Sequence, residues 1–421
     1  MITREEADAL AAVWAERDSL RRGYTCTPEL YEFDLGYVIW TRQPQGVFTQ
    51  PDDGGRTVVD RETGELSSFP SLPPAMVEEQ FRRARPARAG RIHTADPQVE
   101  LRRALRRLPT PTTAAHLTVG SDETGYDLFI ARGAKGDQTL NHHPLVYEYL
   151  SALPAGHLVR GGDRHAEVVA LSDALHEHDR RRVAHGHPPL TLDTARELLR
   201  GAMLEIFPVR EPGDPVLQEP MLPAESSIRA LVHFGVLPDS DLVFTEEQWP
   251  EPPPPGLEVA EPDPARFPPD VAADLKSAAW EPNFAYPVYA EEGVKEAAGV
   301  AGLRHRHEPF PAALAALTAF PLLASSRRGP GRDVWIRRVQ INPARNAHNA
   351  DTLADFGRLI GARLFPMGSE EGHSIIAVDE RGYLFALDQA GEWFLGADAD
   401  RAMIGLLQGH APARVRDDGS W

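Results

Sequence analysis

Nine prolines stand at 250, 252–255, 262, 264, 268 and 269. Each fixes its own φ and offers no backbone donor, so a run this dense serves neither a helix nor a sheet ladder and reads as an extended connector. The chain must fold on either side of it. A second break is electrostatic: residues 82–107 hold nine arginines against Asp96 and Glu100. At 421 residues the chain exceeds one ordinary core. The breaks predict a folded segment at 1–83, a basic linker with a short helix at 84–107, a second segment at 108–247, a Pro-rich linker at 248–270 and a third segment at 271–421.

Charge narrows the classes of partner. The formal net charge is -18, with -8 on residues 1–81, +7 on 82–107, -10 on 108–247 and -7 on 248–421. A surplus of this sign argues against general affinity for nucleic acid or an anionic membrane, and suits a basic partner. No window approaches eighteen consecutive apolar residues, so no membrane span is expected. The opening residues Met1 to Leu10 lack a basic-then-apolar signal pattern, which points to a cytoplasmic protein. Cys26 is the single cysteine and gives neither a disulfide nor a cysteine framework for a metal.

Periodicity places the elements. Thr3 to about Leu20 has a helical stripe of Ala7, Leu10, Ala11 and Trp14, with a capping box from Thr3 to Glu6. Leu30 to Trp40 reads as one strand, Gln50 to Gly55 as a turn and Arg56 to Asp60 as a second strand. In the middle segment strands are expected at Ala115 to Gly120, Tyr126 to Ala131 and Ile206 to Arg210. A turn over Ser121 to Gly125 joins the first two, and helices are expected at Arg164 to Arg182, from Thr191 or Asp193 to Leu204, and at Ser226 to Phe234. In the last segment helices fall at Pro311 to Phe320, Leu353 to Gly361 and Asp400 to Gln408. Strands fall there at Val334 to Val339, Ser374 to Val378 and Tyr383 to Leu387, with a hairpin turn at Glu380-Arg381-Gly382.

One constellation carries chemistry. His165-Ala166-Glu167 opens the first central helix, and Leu222-Pro223-Ala224-Glu225-Ser226-Ser227 follows about sixty residues later. Zinc-dependent deaminases combine H-x-E with a downstream P-C-x-x-C, the metal holding a hydroxide while the glutamate shuttles its proton. Gly161 to Ser172 resembles the active-site helix of the YwqJ-like deaminases of bacterial polymorphic toxin systems. Leu231 to Val236 resembles the helix and turn after their P-C-x-x-C, the resemblance spanning roughly residues 97–245. It places the two cysteine positions at Ala224 and Ser227. Catalytic zinc holds three protein ligands plus water. Here His165 remains, Ala224 offers nothing and a Ser227 hydroxyl is a poor ligand. Neither Glu219, Glu225 nor His233 has a spacing that suggests rescue. His165 and Glu167 are therefore expected to be vestigial, with no cofactor bound. His142, His143, His157, His176, His178, His185 and His187 are expected as surface residues rather than a metal nest.

The flanks point elsewhere. Leu364 to Gly368, His373 to Phe385, Leu395-Gly396 and Gln408-Gly409 resemble the SUKH superfamily of bacterial immunity domains, from about Phe267 to Ala413. Glu32 to Val38 and Val58 to Leu66 resemble the small YrhB-like immunity domains. Asp60 and Glu62 there are explained by a charged strand turn without any metal. The resemblances imply an α/β and α+β multidomain chain: a small α+β domain, a three-layer α/β deaminase-like domain and an α+β SUKH-like domain. They imply a noncatalytic immunity-type protein whose partner is a toxin domain. The alternative is a zinc-dependent deaminase of a nucleotide or nucleic acid with unconventional metal ligands. A third possibility is an adaptor whose middle domain binds a nucleotide without converting it.

Overall fold

The computed structural model describes residues 1–47, 55–88, 90–108, 110–122, 125–219, 221–251, 259, 261–280, 287–371 and 373–421. Gln50 to Gly54 of the expected turn at Gln50 to Gly55, part of that at Ser121 to Gly125, and Pro252 to Pro255 fall outside the described residues. The architecture is mixed α+β with three antiparallel sheets. It divides into two compact units, residues 1–109 with 138–141, and residues 110–137 with 142–421.

In the first unit α1 (Arg4–Arg22) begins at the expected capping box. Thr3 Oγ1 accepts from the Glu6 amide at 3.1 Å, and the Glu6 carboxylate accepts from the Thr3 amide at 2.9 Å. Strands β1 (Thr27–Phe33), β2 (Gly36–Arg42), β3 (Arg56–Asp60) and β4 (Leu66–Phe69) follow in spatial order as an antiparallel meander. The single strand expected at Leu30 to Trp40 is thus a hairpin. The pairing Phe33↔Gly36 closes it over Asp34-Leu35. A Cβ on Gly36 would lie 2.3 Å from the Val59 carbonyl oxygen, so only glycine fits where β2 leaves the turn.

Helices α2 (Pro74–Arg88) and α3 (Pro97–Arg106) complete this unit. Alternation along the strands puts Tyr37, Ile39 and Val59 against α1 and Leu101, while Phe33, Val38 and Val58 face Val77 and Phe81 of α2. The basic stretch expected as a linker is mostly helical and ion-paired into the unit. Arg85 reaches Asp60 at 2.8 Å and Glu62 at 2.6 Å, Arg102 reaches Glu6 at 2.8 Å, and Arg82 holds Asp34 and Glu78. Local carboxylates, invisible as a group in the linear charge count, make the difference.

The second unit opens with β5 (Thr112–Ser121) and β6 (Gly125–Arg132), followed by α4 (Pro144–Ala152), α5 (Ala166–Ala184), α6 (Leu192–Leu199), β7 (Met203–Val209) and α7 (Glu225–His233). Sheet order is β6-β5-β7, all antiparallel. Ala115, Leu117 and Val119 of β5 are buried on the side where α5 packs. The opposite face carries Tyr126, Leu128, Ile130, Met203 and Phe207, each 43–59% exposed. The outward residues of β6 and β7 are thus largely exposed. The next elements are α8 (Pro269–Ser277), α9 (Pro287–Gly299), α10 (Pro311–Ala319), β8 (Val339–Ile341), α11 (Ala350–Ile360), β9 (Leu364–Glu370), β10 (Ser374–Asp379), β11 (Leu384–Asp388), β12 (Gly391–Gly396), α12 (Ala399–Gln408) and β13 (Ala413–Arg414). Their sheet runs β13-β12-β11-β10-β9-β8. Ile376, Val378 and Met367 pack with Phe267, Leu317 and Met403 on one face, whereas Ile375, Ala377 and Phe385 pack with Leu353 and Phe356 on the other. The strand expected at Val334 to Val339 is displaced to β8, because the Trp335 amide instead donates to the Leu158 carbonyl at 2.9 Å. The expected turn at residues 380–382 is present. Asp379 accepts there from the Arg381 and Tyr383 amides at 2.8 and 2.9 Å. Among the described residues no helix is long and apolar enough to cross a membrane.

Within this unit the residues before and after the proline run are bonded through buried charge. Arg160 is 5% exposed and lies between Glu370 (2.5 Å) and Asp388 (2.9 Å). Glu211 accepts from the Thr352 amide at 2.6 Å and the Asp351 amide at 3.2 Å, occupying the N-terminus of α11. Burial pushes the Glu211 carboxyl up to about 7, and the charge of Asp351 adds to this against the Thr352 hydrogen bonds. Removing one member of a buried ion network leaves the others uncompensated. Arg160→Met should therefore lower unfolding free energy by about 3–5 kcal/mol in urea titrations. Glu211 binds more protons folded than unfolded between pH 4.5 and about 7, so its contribution to stability falls as pH rises across that window. The difference in stability between wild type and Glu211→Gln should change by up to about 3 kcal/mol over that range. A pH-independent difference would contradict the assignment.

Candidate functional site

The start of α5 is shaped by glycine and a short turn. Gly161 takes φ +64°, a 3-10 turn covers Gly162–Arg164, and His165 is the N-cap with no side-chain capping bond of its own. Both His165 and Glu167 are buried, at 1% and 0% exposure. His165 Nδ1 lies 3.3 Å from Ser227 Oγ and 3.5 Å from Glu167 Oε1. Burial acts to raise the Glu167 carboxyl, but the His165 imidazole and the Ser227 hydroxyl outweigh it and hold the group below its ordinary value.

The second motif meets the first as its spacing suggests. Ala224 is the N-cap of α7, and Ser227 sits in its first turn beside His165. Ser226 Oγ accepts from the Val159 amide at 3.3 Å. The alternative ligands weighed for a zinc do not converge. Glu225 is ion-paired with Arg328 at 3.0 Å, His233 stacks on Tyr149 at 4.6 Å between centroids, and Glu219 is exposed. Among the described residues no group of three His, Cys, Asp or Glu side chains could hold a metal. One imidazole with an alanine and a hydroxyl does not supply the three-ligand set of a catalytic zinc. The residues present do not fit that metal.

Several of the histidines expected at the surface are internal. His143 is buried and bonds Asp179 at 2.9 Å, with His176 edge-on at 5.1 Å. His142 and His178 are half-buried. Burial lowers the pKa of His142, His143 and His178. Only His185 and His187 of the group lie exposed, as expected. His157 lies against Trp335 and His178 against Phe129, tertiary contacts that residue type alone does not show.

A residue that sequence reasoning missed closes the site. Gln389 follows β11, and its Oε1 accepts from the Ala166 amide at 3.3 Å and from Thr113 Oγ1. It supplies the acceptor that His165 fails to give at the start of α5. The approach is tight. A Cβ on Gly133 would fall 2.2 Å from the Gln389 carbonyl oxygen, and one on Gly161 would fall 2.5 Å from Ala390 Cβ. The one available signal was an N-cap position occupied by a poor capping residue, which predicts a cap from elsewhere but not its address.

Comparison with known proteins covers the flanks. Residues 267–409 match the family model described as SUKH-3 immunity protein, and residues 5–90 match the immunity protein 35-like domain. The first match spans α8 to α12 and the second spans α1 to α2 with the four-stranded sheet between. Both expected immunity-type segments are therefore supported at that level. No curated protein and no solved structure matches. The closure has a measurable cost of removal. Gln389→Ala should destabilise by about 1 kcal/mol, as loss of a helix cap does. It should also speed hydrogen exchange in the first turn of α5. Unchanged exchange there would show that the carboxamide does no capping.

Proposed function

We propose that this chain is a noncatalytic immunity-type protein that binds and neutralises a bacterial toxin domain. The observation that carries the reading is the pair of immunity-family matches at residues 5–90 and 267–409. Immunity function requires occlusion rather than turnover, so the chemistry asked of the chain is a complementary surface. The net charge of -18 suits a basic toxin domain and speeds encounter with it. A cytoplasmic location follows from this reading, since that is where such a toxin would act.

The finer reading assigns a YrhB-like immunity domain to the N-terminal segment and a degenerate deaminase-like domain to residues 108–247, retained for binding. Its support is local. His165 and Glu167 are paired but buried, the two cysteine positions hold Ala224 and Ser227, and Gln389 lies over the helix start. A deaminating site needs both a zinc hydroxide and access for a base. These residues supply neither requirement.

Two measurements test the proposal. Co-expression with a panel of bacterial toxin domains should restore growth against at least one, and the purified pair should form a stable complex. Metal analysis should find far less than one zinc per chain. Failure to protect against any toxin, together with stoichiometric zinc lost in His165→Ala and deaminated product from nucleotides or single-stranded nucleic acid, would establish the enzyme alternative.

A further inference from the structure

Each of the three sheets among the described residues ends in two edge strands. An edge presents backbone donors and acceptors that can template another chain, so stable monomers guard it with proline, lysine, a bulge or brevity. Five of the six edges have such a guard. β1 carries Pro28 as well as Glu29 and Glu32, and β7 carries Pro208. β4, β8 and β13 have four, three and two residues, too few for a long ladder. β6 has none of these protections. It runs for eight residues, Gly-Tyr-Asp-Leu-Phe-Ile-Ala-Arg, without proline or lysine, and its register against β5 is unbroken. Among the described residues no second strand pairs with it.

The side chains of β6 compound the exposure. Tyr126, Leu128 and Ile130 share one face and are all exposed. Asp127 lies on the α5 side, where Arg181 holds it at 2.5 and 3.1 Å. Arg132 is exposed at one end of the strand. At the other end the Tyr126 hydroxyl donates to Asp122 at 3.1 Å. The outward row is therefore apolar in the middle, cationic at one end, and aromatic with an acid at the other. An antiparallel strand of the same sequence sets unlike ends against each other.

We infer that β6 pairs with β6 of a second copy of this chain, antiparallel about a two-fold axis, joining two three-stranded sheets into one of six strands. Opposed residues of an antiparallel pair share a face, so keeping both apolar rows together restricts the register to steps of two. With Phe129 on the axis, Leu128 opposes the second copy's Ile130, and Arg132 opposes its Tyr126 beside Asp122, within reach of a cation–π contact. An axis at Leu128 carries Arg132 past Tyr126, and one at Asp127 sets two carboxylates together. The match of Arg132 to Tyr126 and Asp122 selects a second copy as the occupant. The paired strip is about 24 Å long, at the low end of specific interfaces, so the dimer forms at micromolar concentration. The charge of -18 on each chain opposes it and is screened at physiological salt. The inference owes nothing to the immunity reading.

The test is sedimentation velocity of the full chain from about 1 to about 200 µM at physiological salt, the range of a weak interface. A reversible shift from monomer to twice its mass is expected. Leu128→Lys changes an exposed position and should keep the wild-type melting temperature at the lowest concentration. Two copies of the contact are lost, so association should weaken by about tenfold or more. Arg132→Glu should weaken it by about fivefold or more. Met203→Lys, on the same face but on β7, should leave association unchanged. A monomer throughout the range overturns the inference, as does a dimer indifferent to Leu128→Lys. Equal weakening by Met203→Lys would mean stacked faces and overturns edge pairing. A chain that stays monomeric while Leu128→Lys abolishes binding of a toxin domain would give the edge to that partner and end the self-pairing reading.

Discussion

Arg160 is the interaction on which the second unit depends. A guanidinium removed from water between Glu370 and Asp388 is tolerable only while both carboxylates remain in place, and each carboxylate has the same need of Arg160. Asp388 is held below its ordinary pKa by that neighbour despite full burial. The consequence is geometric. Asp388 ends β11, and the next residue is the one that caps α5. Fixing Asp388 therefore helps to place Gln389 and its bond to the first turn of α5.

Much of this was legible in the linear sequence where the signal was local. Thr3 with Glu6, Asp379 with Gly382 and the apolar run of β10 each name their element within a few residues. The convergence of His165, Glu167 and Ser227 was also legible, because two helix starts carried the motif halves. Misreadings arose where local pattern was ambiguous. Leu30 to Trp40 is apolar enough for one strand, and only the pairing of Phe33 with Gly36 shows the chain turning back. The uncovered face of β6 and β7 carries apolar residues that read equally well as core. Arg160 and Gln389 were beyond reach, since their partners lie more than 200 positions away with no periodicity to connect them.

The immunity matches and the central segment fit one physical picture. A protein that neutralises by occlusion needs rigid surfaces and no open reactive group. The buried imidazole and carboxylate at the start of α5, beside Ser227, meet that description.

The tight seat of the turn at Gln389 also bears on inheritance. Gly133 and Gly161 leave room for this turn and no other of greater bulk. A lineage that exchanged the C-terminal immunity module for a different one would bring a foreign loop against both glycines and strand Arg160 without its acids. Exchange of that segment would forfeit these contacts, even though the proline run before it invites a splice. Residues 110–247 and 267–421 are joined through Arg160 and Gln389, so a change on one side calls for a matching change on the other.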